Sequence, residues 1–446
     1  MASRSSRRRG RVGAVSFYFH HGAWWLYFRE GGKVVRRKAA SERSAAERVA
    51  AQINAQLASA SPTLLSFEPI SVQELRQRFL DFHEHVLNST LGTVRRYRAA
   101  TAHLETFALG SSAFKAHEIK ADVFAAYLRN LETSPNGHAN TAKRRLRHKG
   151  IQFILETCRT LYAFAAKRRH LPPYSPNPFA ELPLGRFRIE DAKPIFLFDA
   201  DTEFEFLEAC DAWSFSVHFL LAKTGIRVGE LVHLMVEDLD LESGWLRVRN
   251  KPALGWRVKT GAERAIPLIG EAVILLRKVI GDRKGGLVFL RRKFSNVSPP
   301  LAGDLSSLEE EARQRLCLAE RPKGRIGEAA VCRSVWRDAG AIKRDYIRTD
   351  FLRRMRTLGR SDSTCPKSWR HTFATLLQDA NVDPLVRQIV MGHSPSSCEL
   401  KTTANYTHTR RETMRRQIEG ALRLWPRSLQ LVSLFYPEQE AHHDHG

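Results

Sequence analysis

The chain has 446 residues, too many for one ordinary domain, with 43% hydrophobic and 26% charged side chains, a balance suited to packed cores in water. Lys and Arg number 71 against 47 Asp and Glu, a formal net charge of +24, so a polyanion is the expected partner, with nucleic acid first because neutralised phosphates release counterions. No apolar run is long enough to span a bilayer, the basic N-terminus lacks the apolar segment of a secretory signal, and six cysteines without CxxC spacing argue against a zinc ribbon or a disulfide scaffold and favour reduced thiols inside a cell, the cytoplasm being the expected location.

Residues 1–13, with Arg4, Arg7, Arg8, Arg9 and Arg11, read as a disordered basic arm. Residues 15–19, 24–29 and 34–38 are rich in aromatic and β-branched side chains and are separated by glycine-bearing turns, which predicts three antiparallel strands. Ser44 and Glu47 make a capping-box pattern, and Val49, Ile53 and Leu57 recur four apart, predicting an amphipathic helix that completes a module over 14–60. Its cations Arg36, Arg37 and Lys38 suit a DNA-contacting surface; a structural appendage is the plainer alternative. A Ser- and Pro-bearing linker follows over 58–69.

Residues 70–182 read as an all-α bundle. A helix capped by Ser71 and Glu74 carries Val72, Leu75, Phe79, Phe82 and Val86 on one stripe. A second covers 93–109, with Tyr97 and Leu104 inward and Arg95, Arg96 and Arg98 outward, and a third covers 120–131. The fourth, over 140–167, opens with Lys143, Arg144, Arg145, Arg147, His148 and Lys149. Arg95, Arg96, Lys143, Arg144, Arg145 and Arg147 would thus place cations on two helices, where they could lie on phosphates; a solvated helix face is the bland reading. Prolines at 172, 173, 176 and 178 end the bundle, and 183–196 is an extended basic connection.

A mixed domain spans 198–425. It should hold helices over 201–210, 215–223 and 228–234, strands over 245–250, 256–260 and 264–267, and a helix over 271–280. Residues 291–362 are charged and weakly periodic, an insertion of part helix and part loop, and the chain is helical again over 366–424. The tail, 426–446, has no predicted structure, and its His442, His443 and His445 belong to a disordered end rather than a metal site.

Four short motifs stand out in this domain. Arg227 follows Thr224-Gly225-Ile226 at a helix start, where its planar fork can face a phosphate, and Glu230 can hold the guanidinium or cap the turn. Lys367 and Arg370 lie three apart on one helix face, mildly repulsive unless an anion sits between them. His393 follows the helix stop Gly392, and Tyr406 sits among polar residues before Thr407 and His408. Singly, each is explained by a surface ion pair or a core histidine.

In this order they resemble the signature of the tyrosine recombinases, the phage integrase family: an arginine in T-G-x-R-x-x-E-L, a lysine on a β-hairpin, H-x-x-R-H, L-G-H and a tyrosine before T-H. The matching positions are Arg227, Lys259 on the 256–267 hairpin, Lys367 with Arg370, His393 and Tyr406. The resemblance implies a mostly α fold with small β elements: an N-terminal three-stranded sheet plus helix binding arm-type DNA, a helical core-binding domain, and a mixed α+β catalytic domain. It implies a site-specific recombinase, an integrase or transposase of a mobile element, that works without metal or other cofactor on double-stranded DNA. Four protomers would assemble on the DNA, with an accessory directionality factor possible.

The implied chemistry assigns Arg227 and Arg370 to the non-bridging phosphate oxygens, Tyr406 to attack on phosphorus, Lys259 to protonation of the leaving oxygen, and His393 to steadying the phosphate. Lys367 stands where the family has histidine, and the gap from His393 to Tyr406 is longer than usual, so an altered pH dependence and a displaced tyrosine are expected. The amphipathic run 414–424 is expected to contact a neighbouring protomer. The alternatives are a type IB topoisomerase-like DNA-relaxing enzyme and a DNA-binding protein with a decayed site.

Overall fold

In the computed structural model, which describes residues 9–59, 63, 67–111, 113–134, 141–172, 175–191, 194–295, 297–318, 324–393 and 410–437, the chain divides into two units, 1–192 and 193–446. The tail histidines lie outside the described residues.

The first unit opens with an antiparallel meander of β1 (Arg9–Val12), β2 (Val15–His20), β3 (Ala23–Glu30) and β4 (Lys33–Ala40), backed by α1 (Arg43–Ala58). Alternation along β2 and β3 sends Val15, Phe17, Trp24, Leu26 and Phe28 onto Ala46, Ala50 and Ile53 of the helix. The three expected strands form, and a fourth precedes them in residues read as part of the disordered arm. Gly10 makes that strand possible because the Phe17 ring lies across it: a Cβ there would stand 2.2 Å from a ring carbon. Gly13, at φ +55°, turns the chain back. The Ser44–Glu47 box is not used; the helix begins at Arg43 and Glu42 makes no side-chain cap.

The bundle holds α2 (Val72–Asp81), α3 (Leu91–Gly110), α4 (Ala121–Asn130) and α5 (His148–Lys167) around Leu75, Phe79, Leu104, Phe124, Leu155 and Leu161. Ser71 caps α2 as expected, its Oγ accepting from the Glu74 N–H at 3.1 Å. Val86 departs from the predicted stripe: a π turn over Phe82–Val86 rotates the face, and Val86 is left 68% exposed. The fourth helix is shorter than predicted. Arg144–Arg145 (β6) pair instead with Glu132–Thr133 (β5), and Arg147 is the extended residue before α5. A run of cations would oppose the positive end of a helix dipole, which disfavours helix there.

The second unit packs α6 (Ala200–Glu208), α7 (Ala212–Thr224) and the single turn α8 (Val228–Leu231) with a three-stranded antiparallel sheet, β7 (Leu239–Asp240), β8 (Trp245–Val248) and β9 (Arg264–Pro267), and α9 (Gly270–Ile280). α7 is buried all round, at the centre of the main core. The expected strand over 256–260 does not form: Lys251 and Trp256 exchange backbone hydrogen bonds, and the chain from Trp256 to Glu263 loops before entering β9. The insertion is more regular than predicted, with α10 (Leu305–Leu318), α11 (Gly324–Asp338) and α12 (Arg344–Thr357). Leu308, Ala312, Val335, Trp336 and Ala339 form a second core with Met235, Leu254 and Leu287.

Beyond it lie α13 (Lys367–Asp379), α14 (Pro384–Met391), α15 (Arg411–Leu422) and α16 (Pro426–Phe435). Two C-terminal expectations are corrected. The apolar face of α15, Met414, Ile418, Ala421 and Leu422, is buried in this chain's own core, so it is not available to a neighbouring protomer. The start of the supposed tail is a helix whose Leu429, Leu431 and Val432 complete the same core.

Candidate active site

The site is built where three helix ends meet β9. α7 stops at Gly225, in the left-handed region at φ +60°, and a Cβ there would stand 2.3 Å from Phe373 of α13. That close approach aligns the Gly225 carbonyl with α13, and Arg370 donates to it from Nη1 at 2.6 Å. The other Nη of Arg370 donates to the Met391 carbonyl at the end of α14 and to His393 Nε2 at 3.2 Å. Arg370 is buried, and among the described residues its Nε–H has no hydrogen-bond partner.

Glu230 joins the remaining pieces. Its carboxylate accepts from the Arg227 backbone N–H at 2.9 Å and from Arg227 Nη1 at 2.7 Å. It also takes a two-pronged bond from Arg264 of β9, at 2.7 and 3.2 Å. Arg264 reaches on to the Val390 carbonyl at 2.7 Å, and Gly392 (φ +62°) leaves it room, since a Cβ there would lie 3.0 Å from its side chain. One carboxylate therefore ties α8, β9 and, through Arg264, the end of α14.

Charge follows from this geometry. Burial pushes Glu230 up, but Arg264 and then Arg227 hold it below the usual carboxylate range, so it is ionised. Burial, then Arg227 and Arg264, bring Arg370 down to about 10, still charged at neutral pH. Burial lowers His393, and Arg370, Arg227, Arg264 and Lys259 lower it further. His393 is then neutral near pH 7. Because Arg370 donates to its Nε2, the proton rests on Nδ1, free to be donated elsewhere.

Of the residues singled out in the sequence, Arg227, Arg370 and His393 are brought together, with Lys259 close enough to act on His393. Lys259 stands exposed in the loop between β8 and β9. Lys367 is the exposed first residue of α13, one turn before Arg370 and near His371, which burial and then Lys367 and Arg370 keep neutral. Tyr406 lies outside the described residues. In the other unit Arg95, Lys143, Arg144, Arg145 and Arg147 are exposed, and Arg96 lies over the Phe153 ring at 4.2 Å. Sequence reasoning missed Arg264. Its signal was alternation: in β9 it shares a face with Ile266, so an arginine there had to be buried and paired. Among the described residues no group of His, Cys, Asp and Glu could hold a metal ion, and no helix is long and apolar enough to cross a membrane.

Residues 197–413 match the phage integrase family model. The curated relatives include the tyrosine recombinase XerC of Thermodesulfovibrio yellowstonii, 29% identical over 227 residues (50% of this chain, 60% of that protein), and XerA of Saccharolobus solfataricus, 26% identical over 203 residues (46% and 48%). The chain thus spans about half the length of the curated relatives it matches. Among solved structures, the Tn1549 transposon integrase in complex with transposon right end DNA is similar in fold, with a TM-score of 0.51, 19% identity and coverage of 78% of this chain and 99% of that one. The family match and these relatives agree with the arginine, histidine and glutamate constellation: residues 197–413 belong to the phage integrase family of tyrosine recombinases.

Proposed function

We propose that this protein is a site-specific DNA recombinase that cleaves and rejoins strands through a covalent 3′-phosphotyrosyl intermediate. The observation that carries the reading is Arg370: a buried guanidinium held by two carbonyls and His393, with an unpartnered N–H and no acid of its own among the described residues. Such a group is arranged for an anion that arrives from outside. Arg227 completes a fork for the two non-bridging oxygens, its geometry set by Glu230. His393 donates its Nδ1–H to the same phosphate.

In the proposed step the Tyr406 oxygen bonds to phosphorus, giving up its proton to solvent. The bond from phosphorus to the 5′ oxygen breaks, and that oxygen leaves with the electron pair and takes a proton from the Lys259 ammonium. Phosphodiester energy is kept in the tyrosyl bond, and the reverse attack by a 5′ hydroxyl rejoins the strand. Lys367, exposed one turn from Arg370, adds positive charge beside the phosphate. Exchange between two duplexes requires four such nucleophiles, hence four protomers, and a directionality factor would bias the outcome. The sheet module (14–60) and helical bundle (70–182) would bind flanking DNA, and the enzyme would act on cytoplasmic, nucleoid DNA.

The test is incubation with nicked duplexes carrying the ends of the element that encodes the protein, followed by denaturing electrophoresis. A covalent adduct is expected from the native protein and none from Tyr406→Phe; an adduct with Tyr406→Phe overturns the assignment. Relaxation of supercoils without joining of two sites would favour the topoisomerase reading instead. Sequencing the trapped DNA maps the cleaved phosphate.

A further inference from the structure

The loop that carries Lys259 is held in two places. At its stem, the backbones of Lys251 and Trp256 pair in both directions, at 2.9 and 3.0 Å. The Trp256 ring stacks on His233 (4.0 Å between centroids, 11° between planes), and the Arg344 guanidinium of α12 lies over its ring, 5.5 Å from the centroid. Packing is close enough that a Cβ on Gly229 would meet Arg344 at 3.1 Å and Trp256 at 3.2 Å. The stem is therefore anchored to α8 on one side and to the insertion on the other.

The tip has no such packing. Lys259 and Thr260 are exposed, and a Cβ on Gly261 would have nothing within 4 Å. What shapes it is Asn250, the second residue beyond β8. Its Oδ1 accepts from the Val258 N–H at 2.8 Å, and its Nδ2 donates to the Gly261 carbonyl at 3.0 Å. The Gly261 N–H donates to the Val258 carbonyl at 2.9 Å, closing a four-residue turn with Lys259 at its second position and Gly261 at φ +75°. The Asn250 backbone N–H is itself fixed by Glu263 at 2.8 Å. One amide thus grips both ends of the turn that presents the ammonium.

We infer that Asn250 is a positioning residue for Lys259, setting the turn from which the ammonium reaches the leaving 5′ oxygen. This rests on the assignment of Lys259 as the proton donor. An ammonium on a four-carbon stem can reach many points, so a turn free to reshape would spread it over positions where no proton transfer occurs. The role predicts a specific chemical signature: loss of Asn250 should matter only when the leaving group needs a proton.

The test compares two half-site duplexes of the mapped sequence, one with the ordinary bridging oxygen at the cleaved phosphate and one with sulfur in its place. A thiolate leaves without protonation because thiols are far more acidic than alcohols. Lys259→Ala should lose about 10²–10⁴-fold on the oxygen substrate and recover on the sulfur one. Asn250→Ala should lose about ten- to a hundredfold on oxygen and stay within about threefold of the native protein on sulfur. Asn250→Asp, which keeps the acceptor for Val258 but loses the donor to Gly261, should fall between. Because both substrates meet the same sample, misfolded protein would slow both alike. Equal slowing on both substrates, or on neither, overturns the role of Asn250. If Lys259→Ala itself fails to recover on sulfur, the proton-donor assignment is wrong and the inference falls with it.

Discussion

Glu230 ties three elements of the second unit together, so its removal should be costly. Its side chain is 3% exposed and so nearly is that of Arg264, at 4%, with 2.7 Å between them. Replacing Glu230 with Met leaves the Arg264 guanidinium buried beside Arg370 and Arg227 with no counter-charge, a situation that typically costs about 3–5 kcal/mol. Arg264→Met leaves the carboxylate with Arg227 alone and should cost somewhat less. The double variant removes both charges and replaces them with side chains of similar length, so its loss should be well below the sum of the singles. For a unit of this size about 3–5 kcal/mol lowers the melting temperature by roughly 10 °C. Calorimetry on the four proteins measures the coupling directly. Additive losses, or a Glu230→Met variant that melts within about 2 °C of the native protein, would show that the network does not tie α8, β9 and α14 together.

Four other outcomes are expected. Arg370→Lys keeps a charge but cannot reach Gly225, Met391 and His393 at once, so covalent adduct formation should fall by about 10²–10³-fold while DNA retention in gel shifts changes little. His233 is held by burial at about 4. Its folded value lies below the unfolded one, so the stability it contributes is complete above about pH 6.5 and drains as the pH falls toward 4. Melting curves of the native protein should therefore drop by about 1–3 kcal/mol more than those of His233→Gln between pH 7.5 and 4.5. Replacing Lys143, Arg144 and Arg145 together with Ala should weaken DNA binding and reduce the slope of log K against log salt by about 2–3, read by titration at several salt concentrations. Deleting the chain from Pro426 onward removes Leu429, Leu431 and Val432 from the core, roughly 5–9 kcal/mol of burial, and should leave the second unit largely insoluble on expression.

The legible parts of this fold were those with a local physical signature. β2 and β3 alternate, the α2 cap follows Ser71 and Glu74, and Gly225, Gly392 and the residues after them mark the site's turns. β1 was hidden because its burial depends on Gly10 lying under a ring from the next strand, which no pattern in an arginine-rich run reveals. The long fourth helix was overextended because its cations were counted as a face, although they disfavour the helix start they would have occupied. α15 was read correctly as amphipathic but given the wrong partner: periodicity shows that a face is buried, never against what. Arg264 was passed over because its role depends on a residue 34 positions away.

The insertion's separate core gives the Lys259 loop an unusual dependency. Leu308, Val335 and Trp336 pack on Leu254, and the Trp336 indole donates to the Leu254 carbonyl at 2.9 Å, two residues before the Trp256 stem. A small satellite core of this kind is a natural unit of sub-global opening, with a free energy below that of the whole unit. Each time α10 and α11 lifted away, the floor under residues 252–256 would go with them while α7 and the main core stayed folded. The readiness of Lys259, the proposed proton donor, would then track the local stability of a segment outside the proposed site, and amides of α11 and of the Lys259 loop should exchange with deuterium as one cooperative group.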